Sequence, residues 1–332
     1  MKEEDISLAD IHDEALEVVI ERLTLQDIER LQAYSAEFVE LPCAACRGTS
    51  LVPAFEWRGF GYKRCVDCGL LMLSPAPDAT RQLWYIETSE ALRYWREHMP
   101  PEVRASREKM YDERVHYVRA HLERLAVAPR RIIEVGAGNG EFAAAFLRAC
   151  GESIEQMVLV EPQPLALDLP RVAVVSTPLE QWSSSQRFDL AISWEVIEHI
   201  LDPDPMLAAI RQRLEPGGLL ILSTPNEDSF ETRLLKGRSA NLLYDHVRLY
   251  NPRTLARLLE RHGFEVLEVA TPGRLDVEIV QREYLHGHLD LSDQPALQFL
   301  MEDGYRHRAE FQRFLCERRL SGHMRCVARS GA

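Results

Sequence analysis

Residues 131–141, from Arg131 to Glu141, read R-I-I-E-V-G-A-G-N-G-E. A short β-rich run passes into glycines at 136, 138 and 140, and Glu141 then opens a helical pattern. Glycines at alternate positions permit positive φ and let a ligand approach the backbone closely. A phosphate would meet the N-terminus of the following helix, but Glu141 stands there, where a dinucleotide fingerprint has Gly or Ala. An anion at that point is repelled.

Working outward, the same grammar repeats. The runs MVLVE (157–161), RVAVV (171–175), FDLAISW (188–194) and GLLILST (218–224) are rich in β formers and separated by helix-length stretches, as parallel strands buried on both faces require. Asp204 followed by Pro205 starts a helix predicted to stop at the Pro-Gly-Gly of residues 216–218, and Asn251 followed by Pro252 starts another that stops at Gly263. FEVLEVA (264–270) and GHMRCVARS (322–330) supply further strands, with a helical insertion at about 275–320 between them. This alternation predicts an α/β chain with a doubly wound, mostly parallel sheet. In such a sheet the ligand lies beyond the carboxyl ends of the strands. Glu161 ends the second run, about twenty residues after the glycines, where it can accept hydrogen bonds from two ribose hydroxyls. A ligand with a ribose, no phosphate and a cationic centre fits these charges.

The ordered set E-V-G-A-G-N-G, Glu161, FDLAISWEVIEHI and LEPGGLLILSTPN resembles the class I S-adenosylmethionine-dependent methyltransferases, over roughly residues 130–270 plus the last strand. The resemblance implies a seven-stranded Rossmann-like sheet and S-adenosylmethionine as cofactor. It also implies that Glu134 anchors the glycine loop and the methionine end, that Gly136, Gly138 and Gly140 line the loop, that Glu161 holds the ribose, that the segment Thr177–Leu179 meets the adenine, and that Trp194 borders the cofactor. The family often carries an acid early in the adenine segment. Here it reads STPLEQW, so backbone contacts or Glu180 must serve.

Upstream, Cys43-Ala-Ala-Cys46 and Cys65-Val-Asp-Cys68 are separated by eighteen residues. Two such knuckles can place four thiolates tetrahedrally around zinc, and with every ligand position filled by sulfur the zinc would be structural. Knuckles followed by a segment like GLLMLSPAP are similar to those of bacterial methyltransferases associated with sugar and surface-polysaccharide chemistry, and the similarity extends to TPGRLDVEIV and SGHMRCVAR.

SWEVIEHI (193–200) follows the fourth run, so Glu195, Glu198 and His199 are expected at the carboxyl edge of the sheet, on nearly one face of a helical turn. Three readings stand. His199 is a general base oriented by a carboxylate, suited to O-methylation. Alternatively Glu195, Glu198 and His199 share a divalent metal, a reading supported by the similarity of E-V-I-E-H to the ubiquinone-pathway O-methyltransferases. The third is a solvated helix start with acids at its N-terminus. His246, in YDHVRLYNP, is a second candidate for the acceptor pocket, and Tyr244 and Tyr250 either stack on a ring or pack in the core.

Composition bounds the rest. The chain has 332 residues, a net charge of −13 and seven cysteines, a usage that suits a reduced compartment. Twelve acids against Lys2, Arg22 and Arg30 place nine of those charges in residues 1–40, so the remainder is nearly balanced and lacks the basic surface that nonspecific nucleic-acid binding needs. No apolar run reaches membrane-spanning length and the start is acidic, so a cytoplasmic protein with no membrane partner is expected. The predicted layout is an acidic helical arm (1–40), a zinc ribbon (41–78), a helical connector (79–128) broken at Pro100 and Pro101, and the methyltransferase domain (129–332). In the arm, Thr24 and Asp27 are expected to cap a second helix, and the amphipathic helices pack on their own domain or on a second subunit. The function expected is methyl transfer to a small molecule, a sugar or sugar nucleotide ahead of a phenolic acceptor. An RNA-base methyltransferase and a non-catalytic cofactor-binding module are the alternatives.

Overall fold

The computed structural model describes residues 7–11, 13–239, 241–302 and 306–331. Its strands in chain order are β1 (Leu51–Trp57), β2 (Phe60–Cys65), β3 (Leu71–Leu73), β4 (Arg131–Val135), β5 (Gln156–Val160), β6 (Val172–Val175), β7 (Phe188–Trp194), β8 (Leu214–Pro225), β9 (Arg248–Leu249), β10 (Phe264–Ala270) and β11 (His323–Ser330). Two compact units share the chain and neither is continuous in sequence. The first takes residues 1–106, 225–254 and 270–324; the second takes 107–224, 255–269 and 325–332. The ribbon and the insertion fall in the first unit, and the glycine turn falls in the second.

The second unit holds a seven-stranded, mostly parallel sheet in the order β10-β11-β8-β7-β4-β5-β6. β4 lies parallel between β5 and β7, with Glu134 opposite Leu159 and Ile192. Each expected strand run forms a strand, and β4, β5 and β7 are buried almost throughout. Side chains alternate across a sheet. Ile132, Leu190 and Ile192 thus turn to one face, where they pack with Val118 and Leu122 of the helix Pro101–Arg124 and with Phe142 and Phe146 of the helix Glu141–Cys150. Glu134 and Trp194 share that parity, and so face the same layer beyond the last apolar pair. One boundary differs from expectation: the helix Asp204–Arg213 ends before the Pro-Gly-Gly, because Leu214 already pairs with Phe188 and the glycines form an irregular stretch within β8.

In the first unit, β1, β2, β3 and β9 form an antiparallel sheet in that order. The insertion is helical, with helices Asp276–Leu285, Pro295–Glu302 and Arg308–Glu317 gathered around Val277, Val280, Leu291, Met301 and Leu315. The arm departs from its expected form. A single helix runs from Glu14 to Gln32 without a break at Thr24. Asp27 is buried at 2% exposure and serves another helix, accepting from the Ser89 hydroxyl at 2.7 Å and the Ala91 N–H at 3.0 Å at the N-terminus of the helix Glu90–His98. A capping signal within a favourable helix yields to propagation, and the acid satisfies orphan donors elsewhere. Among the described residues, no helix is long and apolar enough to cross a membrane.

Candidate active site

The glycine turn after β4 has positive φ at Gly136 (76°), Gly138 (56°) and Gly140 (79°). A Cβ on Gly136 would lie 2.3 Å from Val196 Cγ2, and one on Gly140 would lie 2.7 Å from Leu167 Cδ2. Among the described residues, a Cβ on Gly138 would meet nothing within 4 Å. The loop is therefore closed by protein at its two ends and open at its middle. Glu161, directly after β5, braces that middle: its Oε2 accepts from the Gly138 N–H at 2.9 Å and its Oε1 accepts from the Gln163 N–H at 3.0 Å. A carboxylate oxygen can accept more than one hydrogen bond, so capacity for hydroxyl donors remains. Glu141 opens the next helix, as expected, and accepts from the Asn139 side chain at 3.0 Å.

Glu134 is 2% exposed, and among the described residues its Oε2 has no hydrogen-bond partner. Burial pushes its carboxyl well above the usual range; Arg114 draws it down, while Glu141 and Glu161 push it up further. Trp194 is buried in the core layer against Phe142, their ring centroids 5.3 Å apart, with the Arg114 guanidinium 5.3 Å from its ring centroid. Its indole N–H has no acceptor among the described residues. Leu179 is 1% exposed and begins a tight turn, Leu179–Gln181, and Glu180 beside it is exposed.

The sequence reading missed the cationic side of this region. On the helix Pro101–Arg124, positions 107, 111, 114, 118 and 122 share one face. Val118 and Leu122 are core residues, but further toward the N-terminus the same stripe carries Arg107, Tyr111 and Arg114. Arg114 also stacks on Tyr111 at 5.3 Å. The signal was present as an amphipathic stripe that turns from Val and Leu to Arg and Tyr.

SWEVIEHI does not form the expected single face. Glu195 adopts a left-handed backbone with φ of 55°, and only Ile197–His199 make a helical turn. The Ser223 hydroxyl donates to the Glu195 carboxylate, and the Thr224 hydroxyl donates to Glu198 Oε2 at 3.0 Å. Ser223 and Thr224 are consecutive in β8 and point to opposite faces, so they hold the two carboxylates apart. Glu198 is buried and His199 half-buried. Among the described residues, Glu195 belongs to no group of three or more metal-capable side chains.

In the first unit, His246 is 8% exposed and its Nδ1–H donates to the Asn241 carbonyl at 3.0 Å. Tyr244 and Tyr250 are packing residues: both are buried, and Tyr244 meets Tyr85 edge-on at 4.6 Å. Cys43, Cys46, Cys65 and Cys68 converge, with all four sulfurs within 4.8 Å of one another. Both knuckles repeat one turn. The Arg47 N–H bonds to the Cys43 carbonyl and the Cys43 N–H to the Gly48 carbonyl; the Gly69 N–H bonds to the Cys65 carbonyl and the Cys65 N–H to the Leu70 carbonyl, at 2.8–2.9 Å. Arg47 (φ 64°) and Gly69 (φ 86°) occupy the matching left-handed position. Tetrahedral zinc with Zn–S near 2.3 Å sets sulfurs about 3.8 Å apart, and the pairs Cys43–Cys68 and Cys46–Cys65 stand at 3.4 and 3.5 Å. Burial pushes the Cys43 thiol up and Cys68 to about 11; at Cys65 burial is outweighed by the Cys68 and Asp67 N–H groups, which hold it low. A divalent cation, if bound at the centre, would allow four such thiols to ionise together.

Residues 107–269 match the family described as a methyltransferase domain. A probable S-adenosylmethionine-dependent methyltransferase of Mycolicibacterium smegmatis is 30% identical over 145 residues, covering 42% of this chain and 53% of that protein. A ubiquinone biosynthesis O-methyltransferase of Cereibacter sphaeroides is 30% identical over 108 residues, covering 30% of this chain and 42% of its own length. The chain thus spans about half the length of the first relative and less of the second. The crystal structure of the 1,6-didemethyltoxoflavin-N1-methyltransferase of Burkholderia thailandensis has a TM-score of 0.47 and 15% identity, covering 81% of this chain and 97% of that one. With the seven-stranded sheet, the glycine turn and its bracing acid in place, residues 107–269 carry a class I S-adenosylmethionine-dependent methyltransferase domain.

Proposed function

We propose that the protein transfers a methyl group from S-adenosylmethionine to a small-molecule acceptor, at a hydroxyl of a sugar, a sugar nucleotide or a related hydroxylated compound. The observation that carries the cofactor half is the pair of acids around the open glycine: Glu161 braces Gly138 with acceptor capacity to spare, and Glu134 keeps a buried oxygen without a donor among the described residues. Unsatisfied buried acceptors are rare, and an ammonium group fits this one. Glu161 would hold the ribose, Glu134 the methionine end, and Leu179 and its neighbours the adenine. When bound, the cofactor supplies an electrophilic methyl on a sulfonium centre. The protein's part is to exclude water, orient the acceptor and remove its proton.

His199 is the residue proposed for that proton, with His246 second. A metal shared by Glu195, Glu198 and His199 is less favoured, because the two carboxylates accept from different hydroxyls, Ser223 and Thr224, and Glu195 joins no metal-capable group among the described residues. The four cysteines would bind a structural zinc. The hydroxylated, sugar-derived acceptor is supported by the likeness of the cysteine knuckles and GLLMLSPAP to polysaccharide-associated methyltransferases.

The test is incubation of the purified protein with S-adenosylmethionine and separate acceptor pools (sugar nucleotides, catechols, unmodified RNA), measuring S-adenosylhomocysteine. Formation above background is expected with the sugar nucleotides. Product with RNA alone would contradict the acceptor class, and none with any pool from a protein that binds the cofactor would favour a non-catalytic module.

A further inference from the structure

The segment that carries His246 is held by the cysteine ribbon. β3 begins three residues after Cys68 and pairs antiparallel with β9, Leu71 opposite Leu249 and Met72 opposite Arg248. The Leu73 N–H donates to the Val247 carbonyl at 3.1 Å. Arg248 is 1% exposed, and its Nη1 donates to the Val247 carbonyl at 2.9 Å and the Leu73 carbonyl at 3.5 Å, tying the two strands together from within. Around this pairing, Trp57 Nε1–H donates to the Gly237 carbonyl at 2.6 Å, Tyr62 OH to the Leu243 carbonyl at 3.5 Å, and Arg64 pairs with Glu227 at 2.6 Å. The ribbon therefore grips residues 227–249 at several points.

β3 has three residues and β9 has two. Strands this short have no stability of their own. β3 takes its position from the knuckle that precedes it: the Cys65 N–H and carbonyl close the turn onto Leu70 and Gly69, and Arg64 of β2 pairs with Leu71. β9 takes its position from β3, and His246 lies two residues before β9. We propose that the four-cysteine site is a positioning device for His246, with Arg248 as the positioning residue that transmits it. Metal at Cys43, Cys46, Cys65 and Cys68 fixes the knuckles, the knuckles fix β3, and β3 with Arg248 fixes the histidine segment. The inference rests on the proposed reading only in the role it gives His246.

Hydrogen–deuterium exchange on the zinc-loaded full chain tests it, before and after mild chelation. Exchange in peptides covering 241–251 should rise at least tenfold on zinc loss, with β4 and β7 unchanged and S-adenosylhomocysteine affinity within about twofold. Arg248→Met should loosen 241–251 with zinc retained, and Arg248→Lys should restore part of the protection. Unchanged exchange in 241–251 after zinc loss would overturn the proposal. So would an equal rise in all strands, since that reports only general destabilisation. Failure to bind S-adenosylhomocysteine at all would count against the proposed function instead, and the exchange result would still decide this one.

Discussion

His199→Ala is expected to lower turnover roughly 10²- to 10⁴-fold while leaving cofactor affinity nearly unchanged, as removal of a general base does. That loss corresponds to about 3–5 kcal/mol of transition-state stabilisation. It is larger than loss of a hydrogen bond from a solvated helix start, about 1 kcal/mol, could produce. A metal mechanism predicts another pattern: loss of activity with chelator, rescue by a divalent ion, and equal damage from Glu195→Ala and Glu198→Ala. Among the described residues Glu195 belongs to no metal-capable group and its carboxylate accepts from Ser223 while Glu198 accepts from Thr224, which argues against that three-residue site. Brief chelation that leaves the ribbon zinc in place separates the cases. Near-normal turnover in His199→Ala without a chelator effect would move the base to His246.

Cys65→Ser should abolish stoichiometric zinc and lower the melting temperature by more than about 10 °C. A closed thiolate site contributes on the order of 10 kcal/mol in isolated finger peptides, comparable with the whole net stability of a domain. Cys150→Ser is the control: Cys150 is half-buried at the end of the helix Glu141–Cys150 and lies outside the cluster. About one zinc per chain by metal analysis is the expected result for the parent protein. Native protein with no metal and four thiols open to alkylation at these positions would contradict the assignment.

The strands were legible because parallel strands buried on both faces must be continuous apolar runs, and 131–135, 156–160 and 188–194 show them. The knuckles were legible because ligand spacing is local. What stayed hidden depends on distant parts of the chain. Asp27 has the local signature of a cap, yet its partners Ser89 and Ala91 are about sixty residues away. The face expected for Glu195, Glu198 and His199 assumed a regular turn, but the backbone at Glu195 is left-handed, a conformation no sequence pattern around it announces. β9 is two residues long, too short to leave a pattern, so the gathering of ribbon and insertion into one unit could not be read from composition.

The cofactor assignment carries the account, and calorimetric titration tests it most directly. The parent protein should bind S-adenosylhomocysteine in the micromolar range and NAD not measurably, since Glu141 at the helix N-terminus disfavours a pyrophosphate. Glu161→Ala should weaken S-adenosylhomocysteine at least tenfold through loss of the ribose contacts and of the brace on Gly138. Equal or tighter binding of NAD, or unchanged S-adenosylhomocysteine affinity in Glu161→Ala, would contradict it.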